Sequence, residues 1–159
     1  MMNMSDVRYK RYYTPRHMWA ELTADGKARV GMTAHAVTRL SKPIALLEFS
    51  TAVGRGVVNG EDIGIVYAGY KAHRGDSPLY GGTLECRAFD LSAPLSGIVE
   101  EINMDMMNDP SAINDDPYGC WILRIKPADI EDELSQLLSP EAYEKRLREA
   151  TRPSPFRTV

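Results

Sequence analysis

Apolar and polar residues alternate in short runs along most of the chain, and turn residues cut each run before it grows long. Tyr12 to Met32 reads as β-prone pieces, and Ala28-Arg29-Val30-Gly31-Met32 alternates as a half-buried strand does. Thr23-Ala24-Asp25-Gly26-Lys27 predicts a hairpin turn, because Asp-Gly readily takes the positive φ that tight turns require. Thr33 is a good N-cap for a short helix over 34–40, with Val37 and Leu40 on one face. Ser41-Lys42-Pro43 ends that helix, and Ile44 to Phe49 predicts a buried strand. A strand begins near Glu61 and approaches Tyr70. A Gly/Pro-bearing polar stretch follows, and Thr83 to Leu91 reads as the return strand. Ser96-Gly97 is a turn before a strand to Asn103, Asn108-Asp109-Pro110 starts one helical turn, and Trp121 to Ile125 is the last strand. Asp129 and Ser139 cap two closing helices, the first apolar at Ile130, Leu134, Leu137 and Leu138, the second at Tyr143 and Leu147. Many short strands with helices gathered at the end argue for a mainly β fold, a small sandwich or barrel.

Composition narrows this further. The 159 residues, 43% hydrophobic and 26% charged, suit a single globular domain with a real core. The densest apolar run, Ile44 to Leu47, stops at Glu48, which excludes a spanning helix; the polar, basic start argues against a secretory signal. No membrane role and a cytoplasmic location are the expectation. Charge is uneven. Residues 1–50 hold eight Lys/Arg against four Asp/Glu, residues 100–144 two against twelve, and the last fifteen five against one. A chain this acidic in one third lacks the continuous basic patch that nucleic acid needs. The acidic stretch is a solvated face or a dock for a basic partner.

Catalytic signatures are scarce. Cys86 and Cys120 form no C-x-x-C pair, and His35 and His73 have no acidic or cysteine partners at ligand spacing, so no metal site is expected. No Gly-rich phosphate loop or G-x-S-x-G occurs. Met104, Met106 and Met107 read as packing residues.

Five segments carry a family resemblance. Tyr12-Tyr13-Thr14-Pro15-Arg16-His17-Met18-Trp19 resembles the K-Y-T-x-x-H-E-W opening of the glycine cleavage system H protein family, relatives of lipoyl and biotinyl carrier domains. Gly31-Met32-Thr33 resembles its G-I-T-x-x-A segment. The run from Ala93 to Asn103 is similar to its A-P-V-S-G-x-V-x-E-V-N, and Asn114 to Ile125 to its N-x-D-P-Y-G-x-G-W-L-x-K-I. Ser139-Pro140-Glu141-Ala142-Tyr143 resembles the closing helix. The resemblance spans about 12–147. It implies a flattened β-barrel or sandwich of the lipoyl-carrier, hammerhead-hybrid type, with short helices and a C-terminal helical segment. The expected organisation is an N-terminal extension over 1–11, the carrier domain over 12–150 with an extended hairpin 64–93, and a disordered tail over 151–159. His17 and Trp19 are expected near the barrel mouth.

The family resemblance also implies a non-enzymatic carrier. Lipoate sits on one lysine at a hairpin tip, within E-S-x-K-A, and its arm shuttles an intermediate or electrons between partner enzymes of a lipoate-dependent complex. A lipoate-attaching enzyme is a further implied partner. Counting forward from Gly64 by the family's spacing lands on Tyr70, with Lys71 next; counting back from Ala93 lands on Cys86. A symmetric hairpin then sets Lys71 opposite Cys86 and Tyr70 opposite Arg87, with 72–85 as an added flap. Lys71-Ala72 keeps K-A, while Ala68 stands where the family's Glu would be. Lys71 is thus the candidate attachment residue, or else a surface lysine in a hairpin without cofactor. In the second case the hairpin is an adaptor that binds a partner protein. Cys86 beside Arg87 is either a packed thiol or a reactive one, made nucleophilic by the nearby cation. Cys120 reads as structural.

Overall fold

The computed structural model describes residues 11–69, 86–149 and 154–158. In chain order it begins with β1 (Arg11–Tyr13), β2 (Met18–Leu22), β3 (Ala28–Met32), α1 (Ala34–Leu40), β4 (Ile44–Phe49) and β5 (Gly56–Val57). Then come β6 (Asp62–Gly69), β7 (Cys86–Ser92), β8 (Gly97–Ile102), α2 (Met104–Asn108), α3 (Ala112–Asp115) and β9 (Leu123–Pro127). The described chain closes with α4 (Ile130–Ser135), α5 (Pro140–Arg146) and β10 (Phe156–Thr158). Two antiparallel sheets result, one ordered β1-β2-β3-β9-β8-β5, the other β10-β7-β6-β4. The expected mainly β, two-sheet architecture is what forms.

Local chemistry explains most element boundaries. The Thr33 hydroxyl accepts from the Ala36 amide and starts α1, while Asp129 and Ser139 cap α4 and α5 in the same way. Between the sheets, Val30, Met32, Leu47, Val66, Phe89 and Ile125 are almost wholly buried, the product of period-two alternation on facing strands. A second cluster lies around β1 and α5, where Tyr13 stacks on Tyr143 at 4.7 Å and Tyr13 exchanges backbone hydrogen bonds with Leu138. The Trp19 indole fills the space beside Gly31, where any Cβ would meet the ring at 2.5 Å, and donates to the Pro117 carbonyl.

Five expectations shift. The tail expected to be disordered contributes β10, whose Phe156 pairs opposite Phe89 and seats an apolar ring that would otherwise face water. Arg11, assigned to the extension, already pairs with Glu21 in β1. Asn103, read as the end of a strand, caps α2 instead by accepting from the Asp105 amide, so the Met104–Met107 cluster is helical. The helical turn after Pro110 starts at Ala112, and the last strand runs Leu123–Pro127, two residues later than its pattern suggested.

Candidate functional site

The β6–β7 pairing joins a β-branched and aromatic run, Ile63 to Tyr67, to a strand whose Phe89 and Leu91 alternate into the core. Val66 pairs with Phe89 toward the core, and Ile65 with Asp90 and Tyr67 with Ala88 on the other face. At the far end of the described ladder, Gly69 lies opposite Cys86, and Ala68 opposite Arg87. This corrects the expected pairing of Cys86 with Lys71 and of Arg87 with Tyr70. The count assumed that Ala93 faces Gly64. In fact the Ala93 amide bonds to the Glu61 carbonyl and the Ala93 carbonyl accepts from Gly60, while an irregularity between Asp62 and Gly64 moves the register. Tyr70, Lys71, the 72–85 flap and His73 lie outside the described residues. Ala68, where the family pattern has Glu, is 1% exposed, a position that would strip a carboxylate of water.

Cys86 is half-buried. The guanidinium of Arg87 donates to the Arg39 carbonyl at 3.1 Å, a cation at the C-terminal turn of α1, and so ties the hairpin stem to that helix. Cys120 is half-buried too. Burial and the nearby Asp116 push its thiol pKa up, and its Sγ lies 3.5 Å from the Ala112 carbonyl, the behaviour of a packed, protonated cysteine.

Beside the stem stands a wall that sequence reasoning did not assemble. His17 is 6% exposed and adopts φ of 70°, a left-handed conformation uncommon for a residue with a Cβ. Its amide donates to the Thr14 carbonyl, and its own carbonyl accepts from Thr33. On the ring, Nδ1 lies 2.8 Å from the Tyr143 hydroxyl, which lies 2.8 Å from the Thr33 hydroxyl. Burial, with help from His35 and Arg39, lowers the His17 pKa to about 4, so the ring is neutral at pH 7. Burial likewise raises Tyr143, keeping the phenol protonated. The His35 ring stacks obliquely on His17 at 4.7 Å and is itself shifted down, by burial first and Arg39 second. The Phe156 ring completes the wall, 5.6 Å from His17, 5.1 Å from Phe89 and 4.8 Å from the Arg39 guanidinium. The only sequence signal for Phe156 is that it is the one aromatic residue among the last fifteen.

A groove of about 570 Å³ opens on the other face of the smaller sheet, where Glu48, Phe49, Asp62, Ile65 and Asp90 line it. Arg157 reaches into it and pairs with Asp90 at 2.6 Å. Among the described residues no group of three His, Cys, Asp or Glu could hold a metal ion, and no helix is long and apolar enough to cross a membrane.

Comparison with known proteins agrees with this architecture. The family model for the glycine cleavage H-protein matches residues 11–150. A probable glycine cleavage system H protein of Pyrococcus abyssi is 35% identical over 93% of this chain and 98% of its own length. Glycine cleavage system H protein 2 of Pseudomonas syringae pv. tomato is 30% identical over 92% of this chain and all of its own. The crystal structure of a glycine cleavage system H protein from Mycobacterium marinum superposes with a TM-score of 0.66 at 29% identity, covering 87% of this chain and 97% of that one.

Proposed function

The chain belongs to the glycine cleavage H-protein family, and from that premise we propose that it is a non-enzymatic carrier bearing lipoate on Lys71. The observation that carries the reading is the β6–β7 stem, a ladder whose last described pair is Cys86 with Gly69, two residues before Lys71 in sequence. A carrier lysine must be accessible to its attaching enzyme, and a long modified side chain lets one carrier visit several partner active sites. Lipoate, when attached, supplies a disulfide that accepts an intermediate or electrons. The chain's own residues hold the stem: Arg87 anchors it to α1, and Phe89 roots it in the core. The partners are enzymes of a lipoate-dependent system in the cytoplasm, whether glycine cleavage or another.

Buried Ala68 in place of the family's Glu favours a second reading, in which the hairpin 64–93 is an adaptor surface and no cofactor is attached. Intact mass after expression in a lipoate-supplied host with its attaching enzyme separates the two. A gain of one lipoyl unit, mapped to Lys71 and lost in Lys71→Arg, is the expected result. An unmodified mass, with partner capture that survives Lys71→Ala but fails on deleting 73–82, would establish the adaptor instead.

A further inference from the structure

The smaller sheet has an edge closed by the chain's own last residues. Strand β10 lies beyond the family match at 11–150 and pairs antiparallel with β7, setting Phe156, Arg157 and Thr158 opposite Phe89, Ala88 and Arg87. The Asp90 amide donates to the Pro155 carbonyl at 2.8 Å and extends the ladder by one bond. Two β10 side chains have different receivers. Phe156 enters the wall formed by His17, Arg39 and Phe89, and Arg157 crosses to the other face and pairs with Asp90. Without β10, β7 would present unpaired backbone groups and an uncovered aromatic socket, the features by which a sheet edge recruits an extended chain. Yet the contact is short. Three residues pair, Phe156 is only half-buried, and Arg157 and Thr158 are exposed. A strand so held exchanges readily with a competitor, because few buried contacts oppose its release.

We propose that this edge of β7 is a strand-accepting site filled in cis by β10, and that an extended segment of a partner protein, carrying an aromatic residue followed by a basic one, takes β10's place. The specificity follows from alternation. The aromatic side chain goes inward to Phe89 and Arg39, the next residue outward to Asp90, and the backbone ladder supplies affinity that any sequence can use. The site adjoins the hairpin stem through Arg87, opposite Thr158, so exchange at this edge brings a partner to the end of β7 beside Cys86. This inference does not depend on lipoate attachment.

The test uses the full chain and a fluorescein-labelled peptide, Pro-Ser-Pro-Phe-Arg-Thr-Val. In Phe156→Ala/Arg157→Glu the cis strand is weakened, and the Asp90 amide should exchange with deuterium at least about tenfold faster than in wild type, opening at one weak edge rather than globally. Peptide binding, read by anisotropy, should be at least about tenfold tighter to this variant than to wild type, because the cis strand competes at an effective concentration of roughly millimolar. Bound peptide should restore Asp90 protection. Replacing the peptide's Phe by Ala, or adding Asp90→Lys to the variant, should weaken binding. Equal Asp90 exchange in wild type and variant, or no saturable binding to a variant that melts cooperatively, would overturn the proposal. If the double variant does not fold, Arg157→Glu alone carries the same exchange and binding measurements. A concentration-dependent wild-type dimer that the peptide dissolves would identify the tail of a second copy as the occupant and overturn the assignment to a partner protein.

Discussion

Acid should weaken this protein through His17, and the size of the effect follows from its burial. Above the ordinary histidine value of 6.5 the ring is neutral in both folded and unfolded chains. As the pH falls through 6.5, the unfolded chain takes up a proton that the folded chain refuses until about pH 4. Stability therefore declines across that window and levels off below it. Between pH 7.5 and 4.5 the linkage amounts to about 2.5 kcal/mol, since each unit of difference is worth about 1.4 kcal/mol. Other groups titrate there too, so the comparison needs a partner variant. His17→Asn suits, because Asn tolerates the left-handed backbone at φ of 70° and can place an amide atom near Nδ1, facing the Tyr143 hydroxyl. It loses ring packing against His35 and Phe156 and is less stable at neutral pH. The informative quantity is the slope. Urea unfolding at the two pH values should show wild type losing about 2 kcal/mol more than the variant. Equal losses, or an NMR titration of the His17 ring centred above about pH 6, would refute the argument from burial.

Three further outcomes are expected. Tyr143→Phe keeps the stack on Tyr13 but leaves buried His17 Nδ1 without that partner and the Thr33 hydroxyl with only the Ala36 amide, and should cost about 1–3 kcal/mol in urea unfolding. Asn114→Ala removes the side chain that accepts from the Ile44 amide at 2.8 Å and donates to the Lys42 carbonyl at 3.3 Å; a loss of about 1–3 kcal/mol should appear as a lower melting temperature. Gly97→Ala drives a Cβ into the Lys126 carbonyl oxygen of the neighbouring strand, and overpacking against backbone should cost on the order of 1–3 kcal/mol by the same measurements.

What the sequence determined by itself was local or carried by motif. The Asp25-Gly26 turn, the Thr33, Asp129 and Ser139 caps and the alternation in β3 are written within a few residues of where they act, so propensity and side-chain chemistry suffice to read them. Five ordered motifs likewise carried the family, and with it Lys71 as the candidate attachment residue. Tertiary structure alone decided the rest. The hairpin register depended on an irregularity between Asp62 and Gly64 and on Ala93 pairing back to Glu61, and one displaced residue in a ladder shifts every partner beyond it. The His17–Tyr143–Thr33 chain joins residues 126 and 110 positions apart, and nothing in the local pattern of either segment marks the partner. Phe156 read as part of a loose tail because its three-residue strand has no stability of its own. Only the waiting edge of β7 and the wall of His17, Arg39 and Phe89 make it a strand.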